Sequence, residues 1–304
     1  MFSEILNKTP RKSKWATWVA SDDSRSAKET RAFLDTCFLN IPSGKRLRLS
    51  RKIQKGDEAE VEALIYELVA HELLRRLGHA PEFNPVINGL TPDIYLEVLG
   101  QRFIVDVFVT HSPSKTVTNF GDGSGEAFDQ GDRAQKISDS IRKKSLKYAK
   151  TGLPLLLFAF LGDRYILSAM HVERALFGIT VNEISPEERF PEDISTEVYE
   201  GGVLLPDERG MPGHPNLSAV LVCDWFDTLN RKNRGKRLYC LVLHHWNPKI
   251  RLPVGAFRDF AQVTWNCYEL GRWCCKFIND QNIVARFVLD DEIEFGRYTA
   301  DNPW

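Results

Sequence analysis

The chain is expected to be an α/β protein, with a mixed central β-sheet flanked by helices and additions at both ends. Three observations point that way. Glu58 to Leu77 places Val61, Leu64, Ile65, Leu68, Val69, Leu73 and Leu77 at three- and four-residue spacing, as one face of a helix requires. Several short apolar runs have strand length, among them Ile94–Val98, Phe103–Thr110, "LPLLLFAF" from Leu153 and "LSAVLVCDWF" from Leu217. Between Glu58 and Phe160 the order is helix, hairpin, helix, strand, which suits helices laid against a sheet.

Taken in order, residues 1–30 are polar, with a basic cluster at Arg11, Lys12 and Lys14 followed by Trp15 and Trp18. "KRLRLSRKIQKG" from Lys45 alternates and reads as a basic edge strand, touching phosphate or simply solvated. Gly78 is placed to stop the Glu58–Leu77 helix. "APEFNPVINGL" is a loop, and "LGQR" turns the hairpin, with Gly100 and Gln101 at its tip. "HSPSKTVTNFGDGSGEAFDQGD" reads as a Gly- and Ser-rich loop, lacking the full calcium-loop pattern. Arg133 to Lys150 is a basic helix with Ile137, Ile141 and Tyr148 turned inward, ended by Gly152 and Pro154. Residues 183–208 are acidic, a lid or linker. "RLYCLVLHHW" from Arg237 is a strand, and "FRDFAQVTWNCYELGRWCCKFINDQ" from Phe257 reads loosely as helical. His244 and His245, adjacent on that strand, are expected to point opposite ways, one buried and one exposed. The expected division is a basic N-terminal extension over 1–57, a core over 58–180, an acidic linker or lid over 181–216, and an α+β segment over 217–304 that stands apart or completes the same domain.

With 304 residues the chain can bury a sizeable core. Its formal net charge of -1 hides a local asymmetry. Residues 133–150 hold 7 basic and 1 acidic side chains, and residues 183–208 hold 1 basic and 9 acidic. A neutral total is therefore compatible with a local positive groove for nucleic acid. No apolar run approaches membrane-spanning length and no signal-type segment opens the sequence, so a cytoplasmic location without membrane contact is expected. None of the 6 cysteines forms a CxxC pair, which argues for buried thiols over a zinc site.

The stretch "TPDIYLEVLGQRFIVDVFV", Thr91 to Val109, keeps two aspartates in an otherwise apolar ribbon. Strand alternation around a Gly100–Gln101 turn puts Asp93, Asp106 and Phe108 on one face, with the aspartates diagonal neighbours. Two carboxylates so placed attract a hard divalent cation of the kind that serves phosphodiester hydrolysis. Asp93 read alone is a Thr-Pro-Asp turn residue. Asp106, flanked by "FIV" and "VFV", needs a partner, because an unpaired buried carboxylate costs several kcal/mol; Arg102 or Lys115 would supply a structural one.

These segments resemble the PD-(D/E)XK nuclease superfamily, the restriction-endonuclease-like fold. "YELVAHELLRRLGH" matches the glutamate-bearing helix, Pro92 and Asp93 the Pro-Asp that opens the hairpin, and Asp106 the second acidic position. The resemblance covers about residues 58–162. It implies a restriction-endonuclease-like core and a metal-dependent nuclease acting on DNA, with Glu67, Asp93 and Asp106 holding Mg²⁺ or Mn²⁺. Glu72 is the alternative helical glutamate and Glu62 a weaker one. Phe108 stands where such nucleases carry lysine. The resemblance implies that a lysine from the following helix takes its place, Lys144 or Lys147; Lys144 precedes Tyr148 by four and so shares its face. Gln135 and Lys136 are further inward candidates, and His71 shares the Glu67 side of its helix. A homodimer or a partner subunit would fit two-strand cleavage. The other readings are a catalytically inactive module of the same fold that binds nucleic acid or a partner protein, and a scaffold protein whose carboxylates are structural.

Overall fold

The computed structural model describes residues 2–7, 14–110, 118–120, 123–125, 130–161, 169–183, 196–200, 202–207, 209–226, 237–258, 260–267, 273–277, 283–288 and 293–297. The N-terminal region is helical: α1 (Phe2–Asn7), α2 (Lys14–Ser21), α3 (Arg25–Leu39) and α4 (Ser43–Lys55). The basic stretch expected as an edge strand is thus helix α4. The alternation Arg46-Leu47-Arg48-Leu49 is too short to decide. The pair that buries is Leu49 and Ile53, four apart, and most of the other positions are Lys, Arg or Gln, which favour helix. Helix α5 (Glu58–Arg76) starts with a capping box between Asp57 and Glu60. It stops at Gly78, whose φ of 83° only glycine adopts freely, with the His79 N–H donating to the Leu74 carbonyl at 3.1 Å.

The strands that follow are β1 (Glu82–Phe83), β2 (Ile94–Val98), β3 (Gln101–Thr110), β4 (Thr118–Phe120) and β5 (Gly123–Gly125). Then come α6 (Gln130–Tyr148), β6 (Leu155–Leu161), α7 (Ala169–Phe177), β7 (Ile179–Glu183) and β8 (Thr196–Glu200). The chain continues through β9 (Leu217–Phe226), β10 (Arg237–His244), β11 (Ala261–Cys267), β12 (Trp273–Phe277), β13 (Ile283–Val288) and β14 (Ile293–Arg297). Among the described residues ten strands form one mixed sheet in the order β1-β2-β3-β6-β9-β10-β11-β12, with β13 on β10 and β14 on β13. β3, β6 and β9 are mutually parallel, so the C-terminal strands continue the sheet that the hairpin begins. β4–β5 and β7–β8 are separate two-stranded pairs. The Phe257–Gln281 stretch, expected as helical, instead holds β11 and β12. Val263, Thr264 and Trp265 suit a strand, and pairing of β11 with β10 fixes it.

Alternate residues of the sheet enter two different cores. Phe103, Val105, Val107, Phe158 and Phe160 face the N-terminal helices and α5. Ile104, Phe108, Leu155, Leu157 and Ala159 face α6 and α7, where Ile137, Ile141 and Tyr148 are buried as the helical pattern requires. The result is an α/β fold with a mixed central sheet between helical layers. His244 and His245 are both buried, contrary to the expectation of one exposed ring, because the chain leaves the strand there. His244 Nε2 bonds Gln262 Oε1 at 2.8 Å and His245 Nε2 meets the Gly213 carbonyl at 2.8 Å. Cys37, Cys223 and Cys240 are buried thiols. Residues 184–195 of the acidic stretch and the side chains of Cys267, Cys274, Cys275 and Trp273 lie outside the described residues.

The hairpin turn is Leu99–Gly100, not Gly100–Gln101: both have positive φ, 49° and 77°, and Val98 pairs with Gln101. A type I′ turn of this kind favours Asn-Gly, and a leucine held in the left-handed region is strained by about 1–2 kcal/mol. The Leu99 side chain is 75% exposed, so little packing is at stake. Leu99→Asn is therefore expected to raise stability by about 1 kcal/mol, read as a higher urea midpoint. An unchanged or lower midpoint would contradict the strain.

Candidate functional site

The corrected turn moves the hairpin register by two residues, which preserves the face of every side chain but changes the neighbours. Ile94 pairs with Val105 and Tyr95 with Ile104. One step further, Asp93 lies opposite Asp106, so the two carboxylates are direct cross-strand partners and not diagonal ones. β2 stops pairing at Ile94, which would leave the Val107 N–H without a ladder acceptor. Asp93 Oδ2 accepts it at 2.7 Å, and Asp106 Oδ1 accepts the same N–H at 3.1 Å. One backbone donor therefore holds both side chains together.

Asp106 faces the α6 layer, and α6 supplies its counter-charges. Lys144 Nζ donates to Asp106 Oδ1 at 2.8 Å and to the Val107 carbonyl at 3.0 Å. Lys147 Nζ stands 3.6 Å from Asp106 Oδ2 and 4.5 Å from the centre of the Tyr148 ring. The side chains of Lys144 and Lys147 are 22% and 45% exposed, so Lys144 is the more firmly held. The partners weighed from the sequence are not used: Arg102 lies 3.5 Å from Glu97, and Lys115 lies outside the described residues. Phe108 is buried in the core against α6 and α7. Gln135 and Lys136 are exposed, and Gln135 bonds Asp139 at 2.9 Å.

Glu67 approaches from the other layer, since α5 packs on the opposite face of the sheet from α6. It senses the charges of Asp106 and Lys144, and the Asn84 side chain hydrogen-bonds it. Its Oε2 is buried without a hydrogen-bond partner, as is Asp106 Oδ2. Glu72 is no site residue: it accepts from Arg76 at 2.8 Å, Arg75 at 3.2 Å and Asn40 at 2.8 Å, a buried structural ion cluster. His71 is equally structural, with Nε2 at 3.3 Å from the Pro81 carbonyl and its ring edge-on to Phe83.

The charge balance sorts the acids. Burial pushes Glu67 up to about 7, opposed by Lys52 and by the Asn84 bond. Burial also raises Asp93 well above the usual carboxylate range, reinforced by its hydrogen bond with Asp106 and the charge of Glu67. Asp106 feels burial too, but the bond from Asp93 and the Lys144 ammonium hold it down at about 2. Asp106 is thus the carboxylate, and Asp93 the carboxylic acid that donates to it. Tyr148, whose buried hydroxyl has no hydrogen-bond partner, is raised by burial and then by the Asp106 charge.

Asp93 and Glu67, unlike Asp106, therefore favour their protonated forms, and a cation could take the place of those protons. The two aspartates side by side, the raised pKa values of Asp93 and Glu67, and the buried Glu67 Oε2 and Asp106 Oδ2, which make no hydrogen bond, fit a divalent ion. Among the described residues, however, no three acidic, cysteine or histidine side chains already converge as a metal cluster. Sequence reasoning did not find Asn84; it turned Tyr148 inward and put Lys52 in a basic stretch for phosphate, but linked neither to Glu67 or Asp106. Asn84 carried one signal, its place in the "FNPVING" loop where a φ of 47° is tolerated by Asn.

For Glu67 the folded value of about 7 exceeds the ordinary 4.5, so the folded chain binds the extra proton between those pH values. The stability from this proton is complete below pH 4.5 and is lost as pH rises through 7. Glu67→Gln is expected to flatten that decline, retaining roughly 2–4 kcal/mol at pH 8 relative to wild type. Melting temperatures taken from pH 5 to 8 check this, and an identical slope in both proteins would contradict it.

No family model, curated protein or solved structure matches the chain. Among the described residues no helix is long and apolar enough to cross a membrane.

Proposed function

We propose that the chain is a divalent-metal-dependent nuclease with a restriction-endonuclease-like core, hydrolysing phosphodiester bonds in DNA. The observation that carries the reading is Lys144: its ammonium lies 2.8 Å from Asp106 beside Asp93, the place the missing motif lysine would serve. Asp93 and Asp106, with Glu67, would hold Mg²⁺ or Mn²⁺. When bound, such an ion polarises the phosphate and acidifies water.

The chain's own residues do the rest. The Val107 N–H fixes the aspartates, and the Val107 carbonyl fixes the lysine. Lys144 then keeps a positive charge at the edge of the carboxylates, where negative charge develops on a phosphate under attack. The basic row of α6 and the basic face of α4 supply sequence-independent attraction for the strand.

A second reading, an inactive nuclease-fold module that binds nucleic acid or a partner, is favoured by one feature. Asp106 is already neutralised by Lys144 and Lys147. Cleavage of supercoiled plasmid, linear duplex and single strands in Mg²⁺, Mn²⁺ and EDTA separates the readings. Metal-dependent cutting is expected. Binding without cutting in either metal would favour the inactive module.

A further inference from the structure

Helices α4 and α5 line a cavity of about 620 Å³ that, Glu67 and the basic face of α4 apart, the preceding chemistry does not use. That size lies within the roughly 300–1,000 Å³ of small-ligand pockets. Arg48, Arg51, Lys52 and Lys55 line it from α4. Among the described residues none of these four forms an ion pair with a carboxylate, although Lys52 is near enough to pull the pKa of Glu67 downward. Glu60 and Glu67 are the acids of the lining, and Glu60 is engaged in capping α5. Positive charge therefore exceeds negative there even with both acids ionised.

The remaining wall is apolar. Ala63 and Leu64 lie at the α5 side, and Leu47 at the α4 side stays 59% exposed. A large apolar side chain left open in a cationic pocket suits a ligand with both a flat apolar part and an anionic part. Glu67 belongs to both this pocket and the carboxyl cluster, so the two are contiguous.

We infer that the α4–α5 cavity receives one unpaired nucleotide of the nucleic-acid strand, base against Leu47 and Leu64 and phosphate against the α4 cations. A duplex presents its phosphates on a convex surface and keeps its bases stacked inside, so only an unpaired nucleotide can enter a cavity of this form. The inference rests on the nuclease reading for the identity of the ligand strand, and it makes the substrate single-stranded at that position, such as a frayed end, flap or gap.

Binding in EDTA tests it apart from cleavage. A fluorescein-labelled single strand of about 12 nucleotides, within the usual site size of such grooves, is compared with a blunt duplex of the same length. Wild type is expected to hold the single strand at least about tenfold more tightly, with a salt slope that weakens by about 1–2 in the exposed double variant Arg48→Glu/Arg51→Glu. That variant is expected to lose more than about tenfold for the single strand and less for the duplex. Leu47→Asp, also at an exposed position, tests the apolar wall and should weaken the single strand alone. Equal affinities for the two substrates, or equal losses for both in the variants, would overturn the inference; so would a free mononucleotide that binds more tightly than the strand. Preferential single-strand binding by a protein that cuts nothing would leave the pocket standing and remove only the nuclease.

Discussion

Asp106→Asn is expected to abolish metal-dependent cleavage, lowering the rate by at least about 10²–10³-fold, the scale of removing one group that steadies transition-state charge. The residue is isosteric, so the strand is undisturbed. What changes is charge: Asp106 is the acid held at about 2, and it is the partner of both lysines and the acceptor for Asp93. The fold should survive. The attraction to Lys144 and Lys147 is lost, but so is the repulsion that raises Asp93 and Glu67. These terms oppose each other, and the melting temperature should move by only a few degrees. Loss of cleavage with an unchanged melt locates the defect in the site. A variant that cuts like wild type would remove Asp106 from the chemistry.

Lys144→Ala is expected to lower cleavage by about 10²-fold, with binding of the strand in EDTA nearly unchanged, because many other cations hold the backbone. Lys147→Ala should cost much less, since Lys147 is further from the carboxylate, at 3.6 Å, and more open to solvent. Lys144→Arg should rescue only in part: a planar guanidinium cannot present a point charge to Asp106 Oδ1 and the Val107 carbonyl together as an ammonium does. Rate constants for the three variants under single-turnover conditions check this order. Equal losses for Lys144→Ala and Lys147→Ala would mean that general charge, and not the placement of Lys144, matters.

Much of this site was legible because its signals are local. The apolar runs at Ile94–Val98 and Phe103–Thr110 fixed the strands, alternation fixed the shared face of Asp93 and Asp106, and the four-residue spacing to Tyr148 placed Lys144. The direct opposition of the aspartates was not legible. It depends on which two residues turn the hairpin, and a leucine at positive φ is a turn that sequence preference does not suggest. Choosing among Glu62, Glu67 and Glu72 was underdetermined as well. Successive members are five residues apart, about 140° around a helix, and only the packing of α5 on the sheet decides which one meets the aspartates. Helix α4 was misread because four alternating residues outweighed the Leu49–Ile53 spacing. β11 and β12 were misread because their strand state is set by pairing with β10 and not by local pattern. The α4–α5 cavity joins two elements whose approach no sequence spacing encodes.

The central claim is that the carboxyl cluster exchanges its protons for a divalent ion and is not a purely structural ion pair. Calorimetric titration of the wild-type chain with Mn²⁺ at about pH 6 and about pH 8 tests it most directly, because a metal must displace the protons its ligands carry. Binding is predicted at both, tighter at the higher pH as Asp93 and Glu67 give up their protons more readily, and absent in Asp106→Asn. No Mn²⁺ binding at either pH, or binding that Asp106→Asn leaves intact, would contradict it.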